Sequence, residues 1–187
     1  MKPLLIVDVQ PAYRYFCDPL LPQLRAALYR KRPTDVLIAW VGQGLTADTE
    51  EDVYEYLSQG GLSPALLNRA TFVEKDYGFL RAWMDHGVKD EVIVQALKRM
   101  RRHGVSDSHD LVSKWDEPQE PFDKEVLAAA RFHHDRIMDC GDFEPWPLLR
   151  HSNYVTMGGG RDECLKELEL WLQSHDIQCN RQEHLTY

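Results

Sequence analysis

Leu4-Leu5-Ile6-Val7-Asp8-Val9-Gln10 is an unbroken run of branched aliphatic residues that ends in an acid. Continuous rather than alternating apolar character is what a strand requires when both faces of its sheet are covered, as in a parallel sheet. Downstream, Pro19 to Arg32 carries Leu20, Leu21, Leu24, Ala27 and Leu28 at helical spacing, with basic residues toward its end. Val36-Leu37-Ile38-Ala39-Trp40-Val41 is a second buried run, closed by Gly42 and Gly44. Asp48 or Thr49 can cap a helix that reaches Leu57, with acids in its first turn, and Gly60-Gly61 ends it. This β-α-β-α order predicts a parallel sheet with right-handed crossovers.

Beyond it, Thr71-Phe72-Val73-Glu74-Lys75 reads as a third strand or an extended loop. Helical stretches are expected over Phe79–His86 and Asp90–His103, with another turn from Ser106 to Lys114 and a helix from Phe122 to Phe132. Asp116 to Pro121 is a loop, since its prolines and acids resist regular structure. Arg136 to Cys140 reads as a strand, Tyr154 to Met157 as a more secure one, Asp162 to Ser174 as a helix and Ile177 to Tyr187 as an edge strand. The chain is thus expected to be a single α/β domain over residues 1–187. Its architecture is a three-layer sandwich on a mainly parallel central sheet, with a helical insertion at about residues 85–132.

At 187 residues the chain is long enough to bury a substantial core. A net charge of -8 argues against a nucleic-acid or anionic-membrane binder, and Lys98-Arg99-Met100-Arg101-Arg102-His103 is read as solvated helix surface. No stretch approaches the roughly 20 apolar residues of a membrane span, and no signal-peptide pattern opens the sequence. Cys17, Cys140, Cys164 and Cys179 form no CxxC pair, so reduced thiols and a cytoplasmic location are expected.

The chemistry concentrates in three places. Tyr154-Val155-Thr156-Met157-Gly158-Gly159-Gly160-Arg161-Asp162-Glu163-Cys164 runs from a strand through three glycines to a cysteine at a helix start. With Asp162 as N-cap, the helix dipole and unpaired N–H groups would lower the Cys164 pKa and form an oxyanion hole. An inert packed cysteine beside a phosphate-binding turn is the alternative. Asp8, at the end of the first strand, can accept the thiol proton and return it to a leaving group. Lys75, at the end of an extended segment, can stabilise a thiolate and polarise a substrate. A surface lysine paired with Glu74 or Asp76 is its simpler reading. His133-His134-Asp135 with Cys140 and Asp142 matches no zinc spacing, and Asp107-Ser108-His109-Asp110 reads as capping rather than a triad.

Taken together, an Asp-x-Gln after the first strand, a lysine ending a middle strand and a glycine turn leading to cysteine resemble the isochorismatase-like cysteine hydrolase superfamily, which includes nicotinamidases. The resemblance covers roughly residues 2–80 and 150–180. It implies a three-layer α/β fold and an Asp8-Lys75-Cys164 triad. Gln10 would match the glutamine that often follows the acid, and Gln10, Gly159, Gly160 and Arg161 would surround the oxyanion and substrate. A strained cis peptide before the cysteine is also usual in that family. The family's Asp-x-His metal motif is missing after the second strand, so no metal and no organic cofactor are expected. The implied activity is hydrolysis of a C–N bond in a small amide-like substrate through a thioester, and homo-oligomers are frequent in the superfamily. The alternative is a catalytically inactive member that binds a small molecule, a nucleotide or a protein.

Overall fold

The computed structural model describes residues 2–31, 33–42, 46–75, 80–104 and 146–187, together with Lys124 and Ala128 as isolated helical positions. The expected turn at 106–114, the loop at 116–121, the helix at 122–132 and the strand at 136–140 lie outside the described residues, as do Asp76, Phe79, Asp107 to Asp110, and the His133, His134, Asp135, Cys140 and Asp142 group.

Five strands form one all-parallel sheet among the described residues: β1 Leu4–Val7, β2 Val36–Val41, β3 Thr71–Lys75, β4 Asn153–Gly158 and β5 Gln178–Arg181, in the order β3-β2-β1-β4-β5. The helices are α1 Arg14–Cys17, α2 Leu21–Lys31, α3 Glu50–Gln59, α4 Pro64–Leu67, α5 Arg81–Asp85, α6 Asp90–His103 and α7 Cys164–Ser174. Strand direction explains the continuous apolar runs. Leu4 and Ile6 of β1 join Ile38 and Trp40 of β2 against α2 and α3, whereas Leu5 and Val7 join Leu37, Ala39 and Val73 against α6 and α7. β1 and β2 therefore each contribute to two cores, and full burial of each such side chain contributes about 1.5–3 kcal/mol. The result is the expected three-layer α/β sandwich.

Sequence signals set the local boundaries. Thr49, not Asp48, caps α3, through a box in which the Thr49 side chain accepts from the Asp52 N–H and the Asp52 carboxylate accepts from the Thr49 N–H. The described part of the expected insertion is α6, which buries Val92, Ile93, Ala96, Leu97 and Met100 in the core shared with α7. Arg101, Arg102 and His103 are exposed in its last turn, where cations complement the helix dipole. α7 begins at Cys164, two residues later than expected, and Glu163 rather than Asp162 occupies the cap position without a side-chain cap. The last segment is a short parallel strand followed by a 3-10 turn at Glu183–Leu185, not one long edge strand. Every described peptide bond is trans, including those before Cys164. No helix among the described residues is long and apolar enough to cross a membrane.

β1 runs outward to β2 and β3, and the chain then returns to the other side of β1 as β4. The carboxyl ends of β1 and β4 therefore flank the point where winding reverses, the usual crevice of open α/β sheets. The two ends approach so closely that β4 must finish in glycine. Gly158 sits at φ 80°, and a Cβ there would lie 2.5 Å from the Val7 carbonyl oxygen. Gly158→Ala is expected to destabilise the fold by about 2–4 kcal/mol, read as a lower urea midpoint. An unchanged midpoint would mean that β1 and β4 do not meet this way.

Candidate active site

Asp8 is the first residue past β1 and adopts a left-handed backbone at φ 50°, while its N–H still donates to the Ala39 carbonyl at 2.9 Å. Aspartate tolerates this region better than most residues. The consequence shows in the packing. Leu4 and Ile6 point to the α2/α3 side, and strict alternation would send Asp8 after them, yet Val9 packs there instead. The reversal turns the Asp8 carboxylate toward the side of α7 and Lys75.

Lys75 ends β3, level with Val41 of β2, and points to the same face as Val73. Its ammonium reaches back over the end of β2 to place Nζ 3.0 Å from Asp8 Oδ2, with both side chains buried. The contact is an ion pair rather than an aligned hydrogen bond, since neither carboxylate oxygen has a partner of regular geometry among the described residues. Cys164, the first residue of α7, completes the group: its thiol faces the Asp8 carboxylate within hydrogen-bonding reach and feels the Lys75 charge. The structure thus brings Asp8, Lys75 and Cys164 together at the carboxyl edge of the sheet, with relative exposures of 0%, 4% and 5%.

Glu167, one turn after Cys164, also belongs to the site and was missed from the sequence. It is buried, accepts the Leu80 N–H at 2.9 Å through Oε1 and acts electrostatically on Lys75. The i, i+3 spacing to Cys164, which puts both residues on one helix face, was the available signal.

Electrostatics correct one expectation. Burial first, and the Asp8 charge after it, push the Cys164 thiol up to about 12, against the Lys75 ammonium and the Gly160 N–H. A helix start therefore does not by itself produce a thiolate here; desolvation outweighs it. Burial pulls Lys75 down, but Asp8, Cys164 and Glu167 together leave it above its ordinary value. The resting group is a neutral thiol beside an acid–lysine pair.

The surrounding residues mostly build the site. Gln10, fully buried, receives the Val41 N–H at 2.9 Å and donates to the Val41 carbonyl at 3.0 Å and to Asp48 at 2.8 Å. Its polar atoms tie the end of β1 to the end of β2, so it positions Asp8 rather than offering a free group to substrate. Gly159 adopts φ 61°, and a Cβ there would come within 3.3 Å of the Cys164 sulfur. The Gly160 N–H donates to Cys164 Sγ at 3.1 Å. The Arg161 N–H donates to the Tyr187 carbonyl at 2.7 Å, while its side chain holds Glu183 at 3.2 Å. The oxyanion donors expected from Gly160 and Arg161 are thus engaged elsewhere. The Asp162 and Cys164 N–H groups have no acceptor among the described residues. Tyr187, unnoticed in the sequence, braces the turn: its N–H donates to the Gly159 carbonyl at 3.1 Å and its hydroxyl to the Asp8 carbonyl at 3.3 Å.

Cys17, also buried, donates weakly to the Asp8 carbonyl at 3.5 Å, and Cys179 is half-buried; both are free thiols. Among the described residues no cluster of three metal-ligating side chains occurs. No family model, curated protein or solved structure matches the chain.

The charge pattern gives a signed expectation for the ultraviolet absorbance of the thiolate, read against a Cys164→Ala reference. Wild type should show no Cys164 thiolate at neutral pH, where an ordinary thiol of pKa about 8.5 already shows a few per cent. Asp8→Asn removes a negative charge that disfavours the thiolate, so ionisation moves to lower pH. Lys75→Met removes a positive charge and moves it higher. A wild-type thiolate at neutral pH that ignores Asp8→Asn would refute the geometry.

Proposed function

We propose that the protein is a cysteine-dependent hydrolase that cleaves a C–N bond in a small amide-like molecule through a thioester. The observation that carries this reading is the buried 3.0 Å Lys75–Asp8 ion pair with the Cys164 thiol set against it. Such an arrangement is costly to bury, and it is what covalent catalysis by a neutral thiol requires: a base next to the sulfur and a fixed positive charge beside both.

In this mechanism Asp8 takes the Sγ proton as sulfur attacks the carbonyl carbon. The carbonyl π pair moves to oxygen, where the Cys164 and Asp162 N–H groups are the available donors. The tetrahedral adduct collapses as the C–N bond breaks, and Asp8 delivers its proton to the departing nitrogen. A thioester remains. Asp8 then removes a proton from water, hydroxide attacks the thioester carbon, and the C–S bond breaks to release the acid while sulfur regains its proton. Lys75 keeps its charge throughout and balances whichever of Asp8, thiolate or oxyanion is negative. Glu167 and Gln10 act through Lys75 and Asp8 as positioning residues.

A second reading, an inactive binder on the same scaffold, is favoured by the raised thiol and the low exposure of Cys164. Ammonia release from a panel of small primary amides and carbamoyl amines, with mass spectrometry of the protein, separates the two. The hydrolase should show an acyl adduct on Cys164 that hydroxylamine removes. Cys164→Ala should lose all turnover, and Asp8→Asn should fall by about 10²–10⁴-fold in kcat. Turnover that survives Cys164→Ala would end the cysteine mechanism, and ligand capture without turnover would favour the binder.

A further inference from the structure

At the amino edge of the sheet, opposite Asp8, Lys75 and Cys164, lies a cavity of about 550 Å³. Small-molecule sites commonly measure roughly 300–1,000 Å³. Its walls come from the end of α2, the turn between α3 and α4, and the segments that lead into β2 and β3. Two guanidinium groups, Arg25 and Arg69, line it, and among the described residues no carboxylate does. That is the reverse of the whole chain, in which 30 acids outnumber 22 lysines and arginines.

Among the described residues neither arginine is paired with an acid. Arg25 has no ion pair among the described residues, and Arg69 uses only Nε, donating to the Ala65 carbonyl at 2.9 Å. Arg25 passes close over Gly61: a Cβ there, at φ 86°, would come within 2.9 Å of Nη1, so the missing side chain leaves room for the guanidinium. Asp35, the acid in the adjoining recess, is occupied by His151 at 2.7 Å. The floor is apolar, with Leu28 buried and Leu66 partly so. At the rim stands the ring of Tyr29, 78% exposed.

We propose that this cavity binds a small organic anion, with a carboxylate, sulfonate or phosphate-ester head held by Arg25 and Arg69 and a flat hydrocarbon body against Leu28, Leu66 and Tyr29. Guanidinium forks match planar and tetrahedral oxyanions, and both arginines are exposed, open to an incoming ligand. The apolar floor selects against inorganic ions, which would leave it wet. The site lies at the opposite end of the strands from the cysteine, so it is a second ligand site rather than part of the candidate active site.

Naphthalene-1-sulfonate titrated into the full chain, followed by its fluorescence anisotropy, tests this directly. Wild type should saturate at one site, with neutral 1-naphthalenemethanol at least about tenfold weaker. Arg25→Gln/Arg69→Gln should weaken the sulfonate by about tenfold or more, and Tyr29→Ala, which changes only an exposed ring, by several-fold. Cys164→Ala should bind as wild type does. Equal binding of the neutral probe, indifference to the double variant at an unchanged urea midpoint, or loss of binding in Cys164→Ala would each overturn the assignment. Should the double variant fail to fold, an unchanged affinity in Tyr29→Ala overturns it alone.

Discussion

The carboxyl edge of this sheet is organised by one interaction, the buried ion pair between Lys75 and Asp8. Moving two charges out of water costs several kcal/mol per ion, so the pair is tolerable only where geometry brings the partners together. The two residues belong to strands that do not touch: β2 lies between them, two spacings of about 4.8 Å in all. Three local features meet that requirement. β3 holds Lys75 level with Val41, the left-handed backbone at Asp8 turns its carboxylate inward, and Gln10 clamps the end of β1 to the end of β2. Removing one partner would leave a lone buried charge at a cost of about 3–5 kcal/mol. Register, backbone strain and hydrogen bonding at this edge all serve the same contact.

Much of the fold was legible in sequence because burial on two faces writes an unambiguous pattern. β2 falls on Val36–Val41 and α6 on Asp90–His103 as read, since long apolar runs and helical periodicity at that length have few competing interpretations. Asp8, Lys75 and Cys164 were legible for a related reason: each is a polar residue that ends an apolar strand or begins a helix. What stayed hidden depends on pairings between distant segments. Nothing near Gln10 indicates that its amide bonds Val41 and Asp48, and nothing near Tyr187 indicates that it bridges Gly159, Arg161 and Asp8. The cap of α7 misled for the same reason. Asp162 has the right chemistry for an N-cap, but the turn is fixed by its bonds to the Tyr187 backbone and by Arg181, which donates to the Arg161 carbonyl at 2.9 Å.

The arginine-lined cavity shows the converse. Arg25 and Arg69 are 44 positions apart and neither stands in a basic run, so charge counting along the chain passes over them. Only the packing of α2 against the α3–α4 turn places two guanidinium groups, neither paired with an acid among the described residues, around one apolar floor. The basic knot of α6, conspicuous in sequence, resolves into exposed cations at a helix end and an ion pair from Lys98 to Asp176.

The raised thiol of Cys164 follows from the same economy of buried charge. With Asp8 negative, Lys75 positive and the thiol neutral, these three side chains together carry no net charge, and the Glu167 carboxylate stands as a further acid acting on Lys75. Losing the sulfur proton to solvent would bury a net negative charge, which is why ionisation is displaced to about 12. Passing that proton to Asp8 instead keeps the total of the three at zero, with Lys75 as the common counter-ion before and after. A shift of charge over a short distance beside a fixed ammonium costs far less than creating a new buried ion. In the hydrolase we propose, a thiol that titrates poorly against bulk water would therefore still act as a nucleophile toward a carbonyl, because the buried pair that burdens folding would be the counter-charge that eases the proton transfer.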